Sequence, residues 1–252
     1  MFPFDTYESD GAPIITPEKF YPKERKVSDV AVVCFSTKAR DHVLANNKAE
    51  LIKQFHANAN GEIPIYYLPE YGVVFFMSLI GASMAGEILQ EIAYVFGVTK
   101  FVYFGSCGVL DESLLGRFIV PSECYREEGY SFHHAAPSEY LPIENHAKVA
   151  SFLASLGVPY SVGKGWTTDD IYDETIAKWQ KRKQEGVLCV DMEASGLQAI
   201  ASRIGVALYL FFFASDVLGD TWVRGDLGGA KERVRQIDSA EVALALGESL
   251  TR

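Results

Sequence analysis

The chain has 252 residues, 48% of them hydrophobic and 22% charged, the balance of a globular protein that buries a core. A net charge of −10 and a pI near 5.0 exclude broad binding to nucleic acid or to anionic membranes, though not an anion in a local pocket. Apolar runs are of strand length, so no membrane span is expected. The N-terminus MFPFDTYESDGAP shows neither the basic nor the apolar region of a secretory signal. Four cysteines (Cys34, Cys107, Cys124, Cys189) are widely spaced and mostly lie in strand-like runs. They read as reduced, buried thiols of a cytoplasmic protein rather than as disulfides or a metal site.

Residues 1–28, with four prolines and many charges, read as an extended arm that covers the surface or reaches a neighbouring subunit. Residues 29–252 read as one domain, without repeat or linker. Val30 to Phe35 is the first buried strand, followed by the turn Ser36 to Arg40, and Asp41 is placed to cap a helix over 41–55. After a turn at Asn60 and Gly61, IPIYYLP and VVFFMSLI read as strands joined through Gly72. Gly81 opens a helix whose core face is Met84, Ile88, Ile92 and Val95, and Gly97 closes it. FVYF at 101–104 is a short buried strand running into the turn Gly105, Ser106, Cys107, Gly108. RFIVP reads as a strand stopped near Pro121, HAKVASFLASLG as a helix, and PYSVGKGWTTDDIYD as a strand and loop.

Val187 to Val190 then form a short strand. Leu197, Ile200, Ala201 and Ile204 mark one face of a helix that Gly205 stops, and Val206 to Phe213 form a strand buried on both faces. The glycine-rich segment DVLGDTWVRGDLGG reads as a lid-like loop, and the last twenty or so residues, from Lys231, as a closing helix. The pattern is that of an α/β fold. A strand–helix–strand crossover with a carboxylate beyond each strand suits a ligand site at carboxyl ends of an open sheet. Glu193 is placed to accept hydrogen bonds from a diol, or merely to favour the helix macrodipole. Asp216 is placed to deliver a proton, or merely to sit in a loop. The glycines around Ser106 leave backbone N–H groups to face an anion or sugar hydroxyls, or serve only a tight turn. His133 and His134 have no partner motif, and no metal site is expected.

In this order the motifs resemble the nucleoside phosphorylase/nucleosidase superfamily over about residues 28–230. GVTKFVYFGSCGVL resembles its strand with a phosphate and ribose turn, GRFIVPSECYREEG its following strand, and VDMEASGLQAIASRIGV its V-x-M-E-A helix. ASD at 214–216 resembles the purine-acting branch. The resemblance implies a three-layer α/β/α fold with a mixed, partly closed central sheet, and cleavage of an N-glycosidic bond. It implies that Met192, Glu193 and Ser106 hold ribose, and that Cys107, Gly108, Ile171 and Tyr172 contact the base. Asp216 would protonate the departing purine with Arg224 as a basic neighbour, and Gly105, Ser106, Lys38 and Arg40 would hold phosphate. Inorganic phosphate would be co-substrate with no cofactor, and the chain would form a homo-oligomer, dimer or hexamer.

Two departures bear on the nucleophile. Tyr103 stands where the phosphorylases of the family carry arginine, and a tyrosine supplies neither the charge nor the forked donors that clamp phosphate. FSTKAR replaces the family's G-D-P-x-R loop, and no glutamate in Ser36 to Asp41 matches the water-activating residue of its nucleosidases. Phosphorolysis, hydrolysis and nucleoside binding with little turnover all stay open.

Overall fold

The computed structural model describes residues 7–56, 61–225 and 229–252. In chain order its elements are β1 (Val30–Cys34), α1 (Thr37–Asn46), β2 (Glu50–His56), β3 (Glu62–Leu68), β4 (Val73–Met77), α2 (Ala82–Phe96), β5 (Lys100–Val109), β6 (Phe118–Arg126) and α3 (Ser131–His134). They continue as β7 (Tyr140–Pro142), α4 (His146–Ser155), β8 (Tyr160–Thr167), α5 (Ile176–Gln184), β9 (Val187–Asp191), α6 (Ala194–Ile204), β10 (Ala207–Val217) and α7 (Ala230–Thr251).

The strands join in one mixed sheet in the order β10-β6-β8-β9-β5-β1-β4-β3-β2, with β7 on β6, and a β10–β5 pairing closes five of the strands on themselves. Strand alternation explains the layers. Ala31 and Val33 of β1, with Leu208, Leu210 and Phe212 of β10, face α2 and α6 in one apolar cluster. Val30, Val32 and Cys34, with Tyr209 and Phe211, face α1, α4 and α7 in the other. Both faces of these central strands are therefore buried, and each fully buried Val or Phe contributes about 1.5–3 kcal/mol. This is the expected α/β fold with helices on both sides of a partly closed sheet.

β5 organises the rest. β10 borders it in parallel from Lys100 to Val109. β1 borders it over Lys100–Phe104, and β9 pairs with it antiparallel at Gly108 and Val109. The crossover expectation is corrected here: β9 and β10 are not neighbours, and they run in opposite directions. β9 nevertheless overlaps β5 only where the carboxyl ends of both meet. A residue following β9 and a residue late in β10 thus arrive at one place.

Four other readings change. α1 starts earlier, because the Ser36 hydroxyl accepts from the N–H groups of Lys38 (3.2 Å) and Ala39 (3.5 Å), so Asp41 is not the cap. It ends at Asn46, where the Asn47 side chain caps the Val43 carbonyl at 2.9 Å, and Glu50–His56 pairs instead with β3. GSCG is no turn: Gly105 to Gly108 lie within β5. β6 runs through Pro121, which sits at a register shift against β8, where a missing N–H is tolerated.

The arm lies on its own chain from Tyr21 to Glu24. Glu24 donates its N–H to the Val95 carbonyl at 2.8 Å, and the Tyr21 ring is 4.8 Å from that of Phe55. The arm's residues 1–6, Asn60 of the expected turn and residues 226–228 of the glycine-rich loop lie outside the described residues. All four cysteines are buried free thiols. Among the described residues, no helix is long and apolar enough to cross a membrane.

Candidate active site

A cavity of about 690 Å³ opens where the carboxyl ends of β5, β9 and β10 meet. Its wall includes Gly105, Ser106, Cys107 and Gly108 from β5, Met192 and Glu193 after β9, Asp216 from β10, and Ile171 and Tyr172 from the loop after β8. These expected site residues, dispersed over more than a hundred positions, share one cavity. Lys38, Arg40 and Arg224 are not among its lining residues. Lys38 is exposed on α1, Arg40 bonds Asp41 at 2.9 and 2.7 Å, and Arg224 is exposed in the loop after β10.

Glu193 sits at the N-terminus of α6, fixed from two sides. The N–H of Gly81 donates to its Oε1 at 2.8 Å. Gly81 has φ of 99° and ψ of 142°, a conformation open essentially to glycine alone, so the residue that opens α2 also shapes the site. From behind, Asp191 accepts from the N–H groups of Glu193 (2.8 Å) and Ala194 (2.7 Å), which anchors the first turn of α6. Burial pushes Glu193 up to about 8, with the Gly81 N–H opposing and the Asp191 charge adding to the shift. Burial likewise raises Asp191 to about 6 against the N–H bonds it accepts.

Asp216 accepts hydrogen bonds from the Ser215 hydroxyl (2.6 Å) and the indole N–H of Trp222 (2.7 Å). Trp222 is delivered by the loop after β10, which folds back through a Val217–Val223 bridge. An indole from this loop thus bonds Asp216, whereas the sequence drew attention to Arg224. The glycines of β5 serve close approach rather than unusual φ. A Cβ on Gly108 would stand 3.0 Å from Val190 Cγ1 and 3.5 Å from Asp216 Oδ2. The missing side chain therefore lets the end of β5 pass close to Val190 and Asp216.

The R-E-E-G stretch buttresses the wall. Buried Arg126 bonds the Ser131 hydroxyl (2.8 Å) and the Ala136 carbonyl (2.7 Å). Glu128 accepts from the Ser131 N–H (2.8 Å) and from Ser195 Oγ (2.7 Å) on α6. Glu127 takes the Trp166 indole N–H at 2.6 Å and an ion pair from Lys178.

Phe35 and Ile80 add apolar lining, and the Tyr103 ring packs 5.7 Å from that of Phe35. The Tyr103 hydroxyl is buried without a hydrogen-bond partner among the described residues, and desolvation holds it protonated. Charged lining residues are Glu174, Asp191, Glu193 and Asp216; no lysine, arginine or histidine is among them. Among the described residues, no group of three or more His, Cys, Asp or Glu side chains is arranged to hold a metal ion.

The sequence marked Gly81 only as the opening of a helix and gave Trp222 and Glu174 no role. An aromatic side chain inside a glycine-rich loop was the signal available for Trp222. For Gly81 and Glu174 only the folded arrangement shows the contact.

A mixed sheet closed over five strands, with a carboxyl-lined cavity where three strands end, defines an α/β protein with a deep small-molecule site. A model of the phosphorylase superfamily matches residues 29–249, and the chain belongs to that superfamily. Among similar curated proteins is a purine nucleoside phosphorylase DeoD-type of Caldanaerobacter subterraneus subsp. tengcongensis, 25% identical over 66% of this chain and 72% of the relative. A protein of the same description from Colwellia psychrerythraea is 28% identical over 56% of this chain and 63% of the relative. A purine nucleoside phosphorylase DeoD-type 2 of Vibrio parahaemolyticus is 27% identical over 62% of this chain and 66% of the relative.

Proposed function

We propose that the chain cleaves the N-glycosidic bond of purine nucleosides, with phosphate as acceptor of the ribosyl group. One observation carries the reading: Glu193 and Asp216 line a single cavity together with Gly105 to Gly108 of β5. With ribose over Ser106 and Met192, Glu193 takes hydrogen bonds from the 2′ and 3′ hydroxyls. The base lies toward Ile171, Tyr172, Cys107 and Gly108. The C1′–N9 bond breaks with its electron pair passing to the base, Asp216 gives a proton to N7, and an acceptor oxygen bonds C1′. Positive charge gathers on the ribosyl group in between. A buried carboxyl whose ionised form is costly in the empty cavity gains most at that moment, so Glu193 binds the transition state better than the ground state. The relatives, each described as a purine nucleoside phosphorylase, support phosphate as acceptor and purine as base.

A second reading, hydrolysis by water, is favoured by the lining itself. Four carboxyls and no cation line the cavity, and Phe35 of its wall packs against the buried Tyr103 ring. A phosphate dianion there goes unpaired unless a cation reaches it from outside the lining, such as from a neighbouring subunit in a homo-oligomer. Identification of the sugar product separates the readings. Ribose 1-phosphate formed only when phosphate is supplied upholds phosphorolysis, and free ribose at a phosphate-independent rate overturns it in favour of water.

A further inference from the structure

The loop after β8 carries four acidic side chains, and three are spoken for. Asp169 accepts from the Gly129 N–H at 2.9 Å, Asp170 from the Tyr172 N–H at 2.8 Å, and Asp173 from Lys178 at 2.5 Å. Glu174, the fourth, lines the cavity together with Ile171, Tyr172 and Asp216, and no side chain among the described residues donates a hydrogen bond to it. The mechanism proposed above has no use for it. A half-buried carboxyl in the lining, with its acceptor positions left to solvent, is placed to bond a ligand that displaces that solvent.

The edge of the ligand it meets follows from its neighbour. Asp216 addresses N7 in the proposed reaction. In a purine, N7 and the substituent on C6 lie on the same edge of the ring system. A second carboxyl at that end of the cavity faces the 6-substituent. We propose that Glu174 determines which purine the site accepts: as a carboxylate it takes a hydrogen bond from a 6-amino group, and as a carboxylic acid it gives one to a 6-oxo group. This inference rests on the purine reading of the cavity and adds the selection within that class.

The surroundings make both forms accessible near neutral pH. Burial pushes Glu174 up to about 7, and the charges of Asp216 on β10, Glu127 at the end of β6 and Asp170 in its own loop add to the shift, while Lys178 on α5 opposes it. Above that range a 6-oxo oxygen meets a carboxylate with no proton between them, and an adenine amino group meets an acceptor. Below it the preference reverses.

The test is twofold, so that the selection and the reaction can fail separately. The affinities of free adenine and of hypoxanthine for the full-length protein are measured by calorimetry at about pH 6 and about pH 8.5, for wild type and Glu174→Gln. Loss of one hydrogen bond to a charged group predicts that the adenine-to-hypoxanthine affinity ratio rises roughly tenfold from the lower to the higher pH in wild type. In Glu174→Gln, whose amide has no proton to lose, the ratio stays constant. A wild-type ratio that does not move with pH, a variant that keeps the wild-type dependence, or binding of neither base overturns the inference. Base release from adenosine and inosine is followed in parallel. If the ratio shifts with pH but no nucleoside is cleaved, the selection stands and the catalytic reading falls.

Discussion

Asp216 and Glu193 hold their positions through different means, and their variants should fail differently. Trp222 donates its indole N–H to Asp216 at 2.7 Å from a partly exposed loop. Trp222→Phe keeps an aromatic side chain and removes the donor. It is expected to lower kcat for nucleoside cleavage roughly tenfold, the value of about one hydrogen bond, with KM little changed. Steady-state kinetics reading wild-type kcat in this variant would remove Trp222 from any role in orienting Asp216. Glu193→Ala should lower kcat/KM roughly 100-fold or more, since it removes a group that acts on developing charge. Full activity in a variant that melts like wild type would end the ribose assignment. Tyr103 was legible as a departure from the arginine of the family. Its structural consequence, a buried ring against Phe35, depended on a neighbour 68 positions earlier in the chain.

At the scale of elements, the junction of β4 and α2 is the most exacting. Gly81 combines a φ of 99° with an N–H bond to Glu193, so it serves helix start and site together. Gly81→Ala should cost about 1–3 kcal/mol of stability from backbone strain, and should also weaken nucleoside binding as the relaxing backbone turns its N–H, which alanine retains, away from Glu193. Denaturant melts and ligand titration on the same preparation check both effects; a change in neither would show that the backbone adapts without cost. Periodicity exposed α2 and α6 in the sequence, because each buries one regular face, and continuous apolar runs exposed β1 and β10, whose two faces meet the two clusters. It failed where local chemistry decides. Ser36 and Asn47 bound α1 and release residues 50–56 to pair with β3. Gly105 to Gly108 looked like a turn because glycine usually marks one, yet here the strand continues and needs glycine only to clear Phe35, Val190 and Asp216. The carboxylates at 193 and 216 were visible as strand-end residues. The antiparallel overlap of β5 and β9 that brings them together is a long-range pairing of two residues per strand, too short to leave a pattern.

Across the whole molecule, several buried carboxyls tie stability to pH. Burial raises Glu91 under the arm to about 7, Glu174 to about 7, Asp191 to about 6 and Glu193 to about 8. Each raised group holds its proton more tightly in the folded protein than in the unfolded chain. The stability they contribute is fully present below the ordinary carboxylate range and is lost as pH rises through about 6 to 8. Asp29 and Asp111, held low by Lys26 and by Ser113, act in the opposite sense at the acid end, but both are at the surface and screened. The thermal midpoint should therefore fall between about pH 5.5 and pH 8.5, and a Glu91→Gln, Glu193→Gln double variant should show a flatter profile. Parallel profiles for the two proteins would mean that these carboxyls are ionised at no cost in the fold.

Cleavage of the glycosidic bond in the cavity of Glu193 and Asp216 is measured directly by base release. Wild type and Asp216→Asn are given adenosine and inosine with phosphate, and the free purine is quantified. The expected result is steady release of purine by wild type and a rate lower by about 100-fold or more in Asp216→Asn, which has no acidic proton for N7. Absence of release by wild type from either nucleoside, or equal release by the variant, would contradict it.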